Sequence, residues 1–202
     1  MTLAIATLWL FLFSAASAGA ATPVTWTTAP LSGPLEDVPV RNYGIVEQGL
    51  LSRSGKLTTD GYVWLRQRGV KGIVDFTDED VDESFLKERG FTSYFRLPLP
   101  LDGSPSDAQA DQFLAIVQDS HNWPLHVHCH GGKDRTGVMV ALVRSAIDGW
   151  PVEKALEEAK LYRHGKDLSP KYVKWLKRWA RSHPPGSYRP VSDGDTKKDG
   201  AR

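Results

Sequence analysis

The chain has 202 residues, of which 41% are hydrophobic, and its seven tryptophans add enough apolar surface for one well-formed core. The 25 lysines and arginines nearly balance the 24 aspartates and glutamates. The resulting net charge of +1 says nothing about nucleic acid by itself, but no basic stripe interleaved with aromatics is present, and no nucleic-acid partner is expected. A single cysteine excludes an intramolecular disulfide and any multi-cysteine metal cage.

Residues 1 to 35 carry no charged side chain. Leu3 to Phe13 is an apolar run followed by small residues, and Ala18-Gly19-Ala20 has the form of a cleavage site. Residues 1–20 therefore read as a secretory signal peptide, which implies a secreted or periplasmic protein. An uncleaved apolar anchor is the alternative, because about 20 apolar residues suffice to span a bilayer. Residues 21–40, rich in Thr, Pro and Ala, read as a linker, and one domain is expected over 41–182.

Within that domain, Asn42 to Val46, a turn at Gly49 and Leu50 to Gly55 read as a short hairpin. Thr59-Asp60 opens a helix that runs to about Arg68 and stops at Gly69. Val70 to Phe76 follows as a strand. The acidic run Asp78 to Glu83 opens a second helix; a calcium site there is weighed against an ordinary dipole-favoured helix start, and the latter is preferred. Phe91 to Leu97 is the next strand, and Pro98 to Asp107 is a Pro/Gly-rich loop before a helix over Ala108 to Ser120.

Leu125 to Val127 is a buried strand, and Val138 to Val143, apolar on every face, is a central buried helix. Helices follow over Val152 to Tyr162 and Ser169 to Arg181, the second with Tyr172, Val173, Leu176, Trp179 and Ala180 as its core stripe. The basic outer face of that last helix permits membrane contact, although an ordinary solvated face explains it equally. Residues 183–202 read as a disordered tail. Helices alternating with strands predict an α/β fold with a largely parallel sheet, its site at the carboxyl ends of the strands, in a monomer.

Between the last strand and the buried helix lies His128-Cys129-His130-Gly131-Gly132-Lys133-Asp134-Arg135-Thr136-Gly137. Strand, glycine loop and helix N-terminus make an anion site, because backbone N–H groups and the helix dipole face the bound charge. A thiolate there is stabilised by the same field, and an arginine six residues on can grip two phosphate oxygens at once. The spacing thus suits attack on phosphorus as well as phosphate binding. Cys129 would be the nucleophile and Arg135 the phosphate binder, with Thr136 placed to hydrogen-bond the sulfur as it leaves. His130, Gly131, Gly132, Lys133 and Asp134 would surround the substrate phosphate, while His128 would orient the loop from behind. His126, His128, His130 and Cys129 also invite a zinc reading, which is set aside because Arg135 would repel a cation. Neither a metal nor a cofactor is expected.

The stretch His-Cys-x5-Arg-Thr-Gly resembles the cysteine-dependent protein tyrosine and dual-specificity phosphatase superfamily. Its Gly-Lys-Asp-Arg-Thr-Gly ending looks most like the atypical dual-specificity and lipid-phosphatase-like branch. Leu51-Ser52-Arg53-Ser54-Gly55 is similar to an opening segment of the atypical enzymes, with Arg53 either facing the pocket or lying at a surface turn. The resemblance implies a protein tyrosine phosphatase-like fold, a phosphocysteine intermediate and a general acid on a mobile loop upstream of the cysteine. Asp102, 27 residues before Cys129, is the first choice for that acid, and Asp134 is the competitor. Phosphotyrosine or mixed phosphoprotein substrates come first, phosphoinositides or inositol polyphosphates second. A phosphate-binding module without turnover is the reading from a different class.

Overall fold

The computed structural model describes residues 32–79 and 81–188. The expected signal peptide lies outside the described residues, as does most of the expected linker. Residues 32–40 are not free chain: the Ser32 hydroxyl donates to the Ile45 carbonyl, Leu35 N–H donates to the Tyr43 carbonyl, and Val40 is buried. The packed region thus starts before Arg41.

Five strands, β1 (Gly44–Glu47), β2 (Leu51–Ser54), β3 (Gly72–Asp75), β4 (Ser93–Arg96) and β5 (Leu125–His128), form one sheet in the order β1-β2-β5-β3-β4. Only β1 and β2 run antiparallel, as the hairpin reading requires, and the other neighbours are parallel. The last strand to form in sequence therefore sits in the middle. Its register aligns Ser54, Asp75 and His128, so the loops after β2, β3 and β5 leave the same end of the sheet together.

Helices cover both faces. On one side lie α1 (Thr59–Gln67) and α2 (Glu83–Glu88), whose Tyr62, Leu65 and Leu86 pack with Ile73 and Phe91. On the other lie α3 (Asp107–Gln118), α4 (Arg135–Ala146), α5 (Val152–Leu161) and α6 (Pro170–Ser182). Every residue of α4 is buried, in keeping with its uniformly apolar middle. Each of its larger side chains, such as Leu142 and Met139, contributes roughly 1.5–3 kcal/mol by leaving water.

Local chemistry sets several boundaries that the sequence placed differently. Thr58, not Thr59, caps α1, because its hydroxyl accepts from the Gly61 N–H. Ser106 and Gln109 form a reciprocal capping box, so α3 begins at Asp107. Most of the acidic run is loop; only Glu83 enters α2, with Asp82 as its cap. Trp175 joins the core stripe of α6, which the sequence reading had left out. Beyond α6 the chain stays attached as far as Tyr188. Its N–H donates to the Ala146 carbonyl, its carbonyl accepts from Gln118, and its hydroxyl donates to Asp111. The tail expected from His183 thus begins with packed residues.

Candidate active site

At the carboxyl end of β5 the chain passes from His128 through Cys129 into a tight loop that ends at Arg135, the first residue of α4. Cys129 is buried, at 2% exposure, yet it lines a cavity of about 280 Å3 together with Gly131, Lys133, Asp134 and Arg135. The Gly132 N–H donates to the Cys129 sulfur at 3.3 Å. Gly132 has φ +67°, and a Cβ there would lie 2.5 Å from the Gly55 nitrogen and 2.6 Å from the Ser54 carbonyl carbon. Only glycine permits the loop to press this closely on the end of β2.

Asp134 stands at the N-cap of α4 but caps no N–H group; its carboxylate pairs instead with Arg163. The first N–H groups of α4 are thereby left without a side-chain cap, which is what an anion at a helix N-terminus requires. Arg135 is folded back so that Nη1 donates to the Phe76 carbonyl at 3.1 Å, just past β3, while the guanidinium lines the cavity. Thiol, arginine and helix terminus therefore converge on one space.

Other expected site residues fall elsewhere. Asp102 is exposed on the loop after β4, and its neighbour Leu101, not Asp102, lines the cavity. That loop is fastened to the start of α6: the Lys171 ammonium donates to the Leu101 carbonyl, and the Ser104 hydroxyl donates to the Lys171 carbonyl at 3.1 Å. Asp134 is in the cavity wall, although committed to Arg163. The His130 side chain is exposed at the rim, outside the lining. Thr136 is fully buried, and its hydroxyl makes no hydrogen bond among the described residues, so it does not donate to the Cys129 sulfur here.

Behind the loop the strands carry polar groups where a core is normally apolar. His128 is buried, with Nδ1 3.7 Å from an Asp75 carboxylate oxygen, and burial pushes its pKa down. His126 is buried beside it, its ring 6.2 Å from that of His128, and burial pushes its pKa well below the usual histidine range. The Ser54 hydroxyl donates to the Gly55 carbonyl at 2.7 Å, so it accepts from His126 Nε2–H, leaving Nδ1 to accept from the Ser52 hydroxyl at 2.8 Å. Both ring nitrogens of His126 are thus occupied by serines.

Several neighbours of the cavity were not singled out from the sequence. Ser169, Lys171 and Tyr172 complete the wall, and the Lys133 ammonium meets His164 at 3.3 Å. Arg53 is neither at a surface turn nor in the cavity. It is buried, at 1% exposure, with Nη2 donating to the Gly132 carbonyl at 2.8 Å and its guanidinium 3.7 Å from the centre of the Tyr162 ring.

The chain resembles known proteins in sequence and in fold. The chain is 32% identical to the chloroplastic NAD kinase 2 of Arabidopsis thaliana over 96 residues, 44% of this chain and 10% of that protein. It is 28% identical to the inositol diphosphatase DSP3 of Arabidopsis thaliana over 130 residues, 59% of this chain and 61% of that one. Its fold matches the core catalytic domain of the PP-IP phosphatase SIW14 from S. cerevisiae with a TM-score of 0.64 at 20% identity, covering 77% of this chain and 98% of that domain. The chain spans about a tenth of the kinase and less than two thirds of the diphosphatase. Residues 42–173, from two residues before β1 to the second turn of α6, match the model of the family described as DSP-PTPase phosphatase fused to NAD+ kinase, and the chain belongs to that family.

Proposed function

We propose that the protein is a cysteine-dependent phosphatase working through a phosphocysteine intermediate. The observation that carries this reading is the convergence of Cys129, Arg135 and the uncapped N-terminus of α4 on one cavity. The thiolate attacks phosphorus, the phosphorus–oxygen bond to the leaving group breaks, and the departing oxygen takes its proton from Asp102. Water, deprotonated by the same carboxylate, then attacks the phosphocysteine, and the sulfur leaves as thiolate, accepting the hydrogen bond of the Gly132 N–H. Arg135 and the loop N–H groups hold the non-bridging oxygens throughout.

The substrate class we favour is a polyphosphorylated small molecule of the inositol phosphate kind. Lys133 and Lys171 line the cavity, and Arg163 and His164 adjoin it through their contacts with Asp134 and Lys133. Among these, only Arg163 is paired with a cavity-wall carboxylate, that of Asp134, which leaves cationic charge for phosphates beyond the one at Cys129. The inositol diphosphatase relative supports the same choice. Phosphoprotein is the competing outcome of the test.

Phosphate release should be measured for the full chain, with Cys129→Ser beside it and chelator present, on inositol polyphosphates, phosphoinositides, phosphotyrosine peptides and phosphoserine peptides. Turnover lost in Cys129→Ser supports the mechanism, and the fastest substrate identifies the class; no turnover with reduced thiol would leave a binding module. Asp102→Asn should lower the rate about 10^2- to 10^4-fold. A larger loss in Asp134→Asn would transfer the acid role to Asp134. We also propose export directed by residues 1–20, to be read from the mature N-terminus: Ala21 supports it, Met1 or Thr2 overturns it.

A further inference from the structure

Three successive carbonyls of the loop meet donors that come from outside the Cys-to-Arg stretch. The Lys56 N–H donates to the His130 carbonyl at 3.0 Å. The Asn42 side-chain amide donates to the Gly131 carbonyl at 3.3 Å and to the Gly132 carbonyl at 3.0 Å. Arg53 donates to the Gly132 carbonyl as well, at 2.8 Å. All three peptide planes are trans, so each carbonyl points opposite to the N–H of the following residue. Fixing the carbonyls on the outside turns the N–H groups of Gly131, Gly132 and Lys133 inward. One of them is seen there, on the Cys129 sulfur.

Arg53 differs from an arginine kept for packing. Besides Gly132 it touches the Tyr162 ring face, and its Nε and Nη1 make no hydrogen bond among the described residues. Burying a cation this way is costly without an anion nearby. Two anionic groups act on it through space: the Glu158 carboxylate, already held by Arg144, and the Cys129 thiolate, with any bound phosphate, on the far side of the Gly132 peptide. Asn42 holds φ +55°, a left-handed conformation that asparagine tolerates, and this places its amide under the loop. It also donates to the Tyr162 carbonyl at 3.2 Å, tying the end of α5 to the same point.

We propose that Arg53 and Asn42 are positioning residues of the phosphate loop, holding the Gly131 and Gly132 carbonyls outward so that the loop N–H groups stay aimed at the phosphoryl group. This rests on the phosphatase reading and extends it to two residues that touch neither substrate nor nucleophile. The backbone donor Lys56 adds a third anchor that no side-chain substitution removes.

The test uses the full chain and reads Cys129 directly. The rate of iodoacetamide alkylation is followed across pH, and inorganic phosphate is titrated as a protecting ligand, for wild type, Arg53→Met, Arg53→Lys, Asn42→Gly and Arg144→Met. Glycine keeps the positive φ at position 42 while deleting the amide, so this variant carries the test if Arg53→Met does not fold. Arg53→Met and Asn42→Gly are expected to weaken phosphate protection at least tenfold, to move the alkylation midpoint to higher pH and to lower kcat, with Arg53→Lys between them and wild type. Arg144→Met should melt earlier with an unchanged protection constant and midpoint. Folded Arg53→Met and Asn42→Gly proteins with wild-type protection and midpoint would overturn the proposal. Wild type protected by phosphate but unable to turn over any ester would overturn the phosphatase reading alone; wild type that phosphate does not protect would overturn both.

Discussion

Helix α4 carries an arginine near each end, and the two are used in opposite ways. Arg144, in the last turn, is completely buried and fully engaged: Nε and Nη2 grip both oxygens of Glu158 at 2.9 and 2.7 Å, and Nη1 donates to Asp148 at 2.8 Å. Trp150 lies against its face at 4.5 Å. Arg135, at the N-terminus, has one bond to a neutral carbonyl and turns the rest of its fork toward the cavity. One cation has its hydrogen-bonding capacity spent on the protein, whereas the other keeps it for a ligand. The difference separates a stability device from a binding device on a single helix, without reference to any relative.

That contrast can be broken in several ways. Arg135→Met should reduce kcat/KM about 10^3-fold, equivalent to about 4 kcal/mol of transition-state binding, while stability changes by no more than about 1 kcal/mol. Steady-state kinetics and urea unfolding on the same sample check both halves. Arg144→Met should do the reverse, with a stability loss of about 3–5 kcal/mol, because two buried carboxylates lose their partner, and with kcat unchanged well below the melting temperature. A catalytic defect in the folded Arg144→Met protein would blur the distinction.

A smaller effect lies in pH. Burial opposes the Arg144 charge, but the bonds to Glu158 outweigh it and raise the pKa of the arginine. Burial likewise disfavours the Asp148 carboxylate, and the bond from Arg144 does not offset this, so its pKa is pushed up to about 6 from an ordinary 3.8. A raised acid pKa in the folded state means that the contribution is fully present below the ordinary value and is lost as pH rises through about 6. Between pH 4 and pH 6 the wild type should therefore lose on the order of 1–3 kcal/mol relative to Asp148→Asn, measured by urea unfolding at each pH. Parallel curves for the two proteins would show that Asp148 is charged throughout. Smallest of all, Lys56→Ala removes an exposed ion pair to Glu79 and should shift stability by no more than about 0.5 kcal/mol, leaving the backbone anchor at position 56 in place.

How much of this could be read in advance follows the range of the interactions. The loop, the buried helix behind it and the hairpin before it depend on residues close in sequence, and the α/β class and the position of Cys129 and Arg135 in the cavity were legible from motif and periodicity. Arg53 was noticed only as part of a short phrase, and Asn42 only as part of the hairpin. Their partners lie 79 and 90 residues away, across a parallel pairing of β2 with β5 that no local pattern encodes. Arg144 was hidden for the same reason, since its carboxylates come partly from α5. Asp102 was chosen by spacing, and spacing does not fix where a Pro/Gly-rich loop puts a side chain. The docking of residues up to Tyr188 depends on contacts with α3 and α4 that a polar composition conceals.

The pairing of β2 with β5 also has a consequence in time. The residues of the signature are contiguous, but their geometry is completed by a hairpin made more than 70 residues earlier, whose ends can meet the loop only after the intervening crossover has closed. Long-range parallel pairing is slow to form, so the reactive thiol should be assembled late in folding. Pulse alkylation during refolding would record it: Cys129 should react like a thiol in an unfolded chain until β2 docks, and an early change in its reactivity would place loop assembly ahead of the sheet. Until that docking, the chain carries the whole signature and lacks the site.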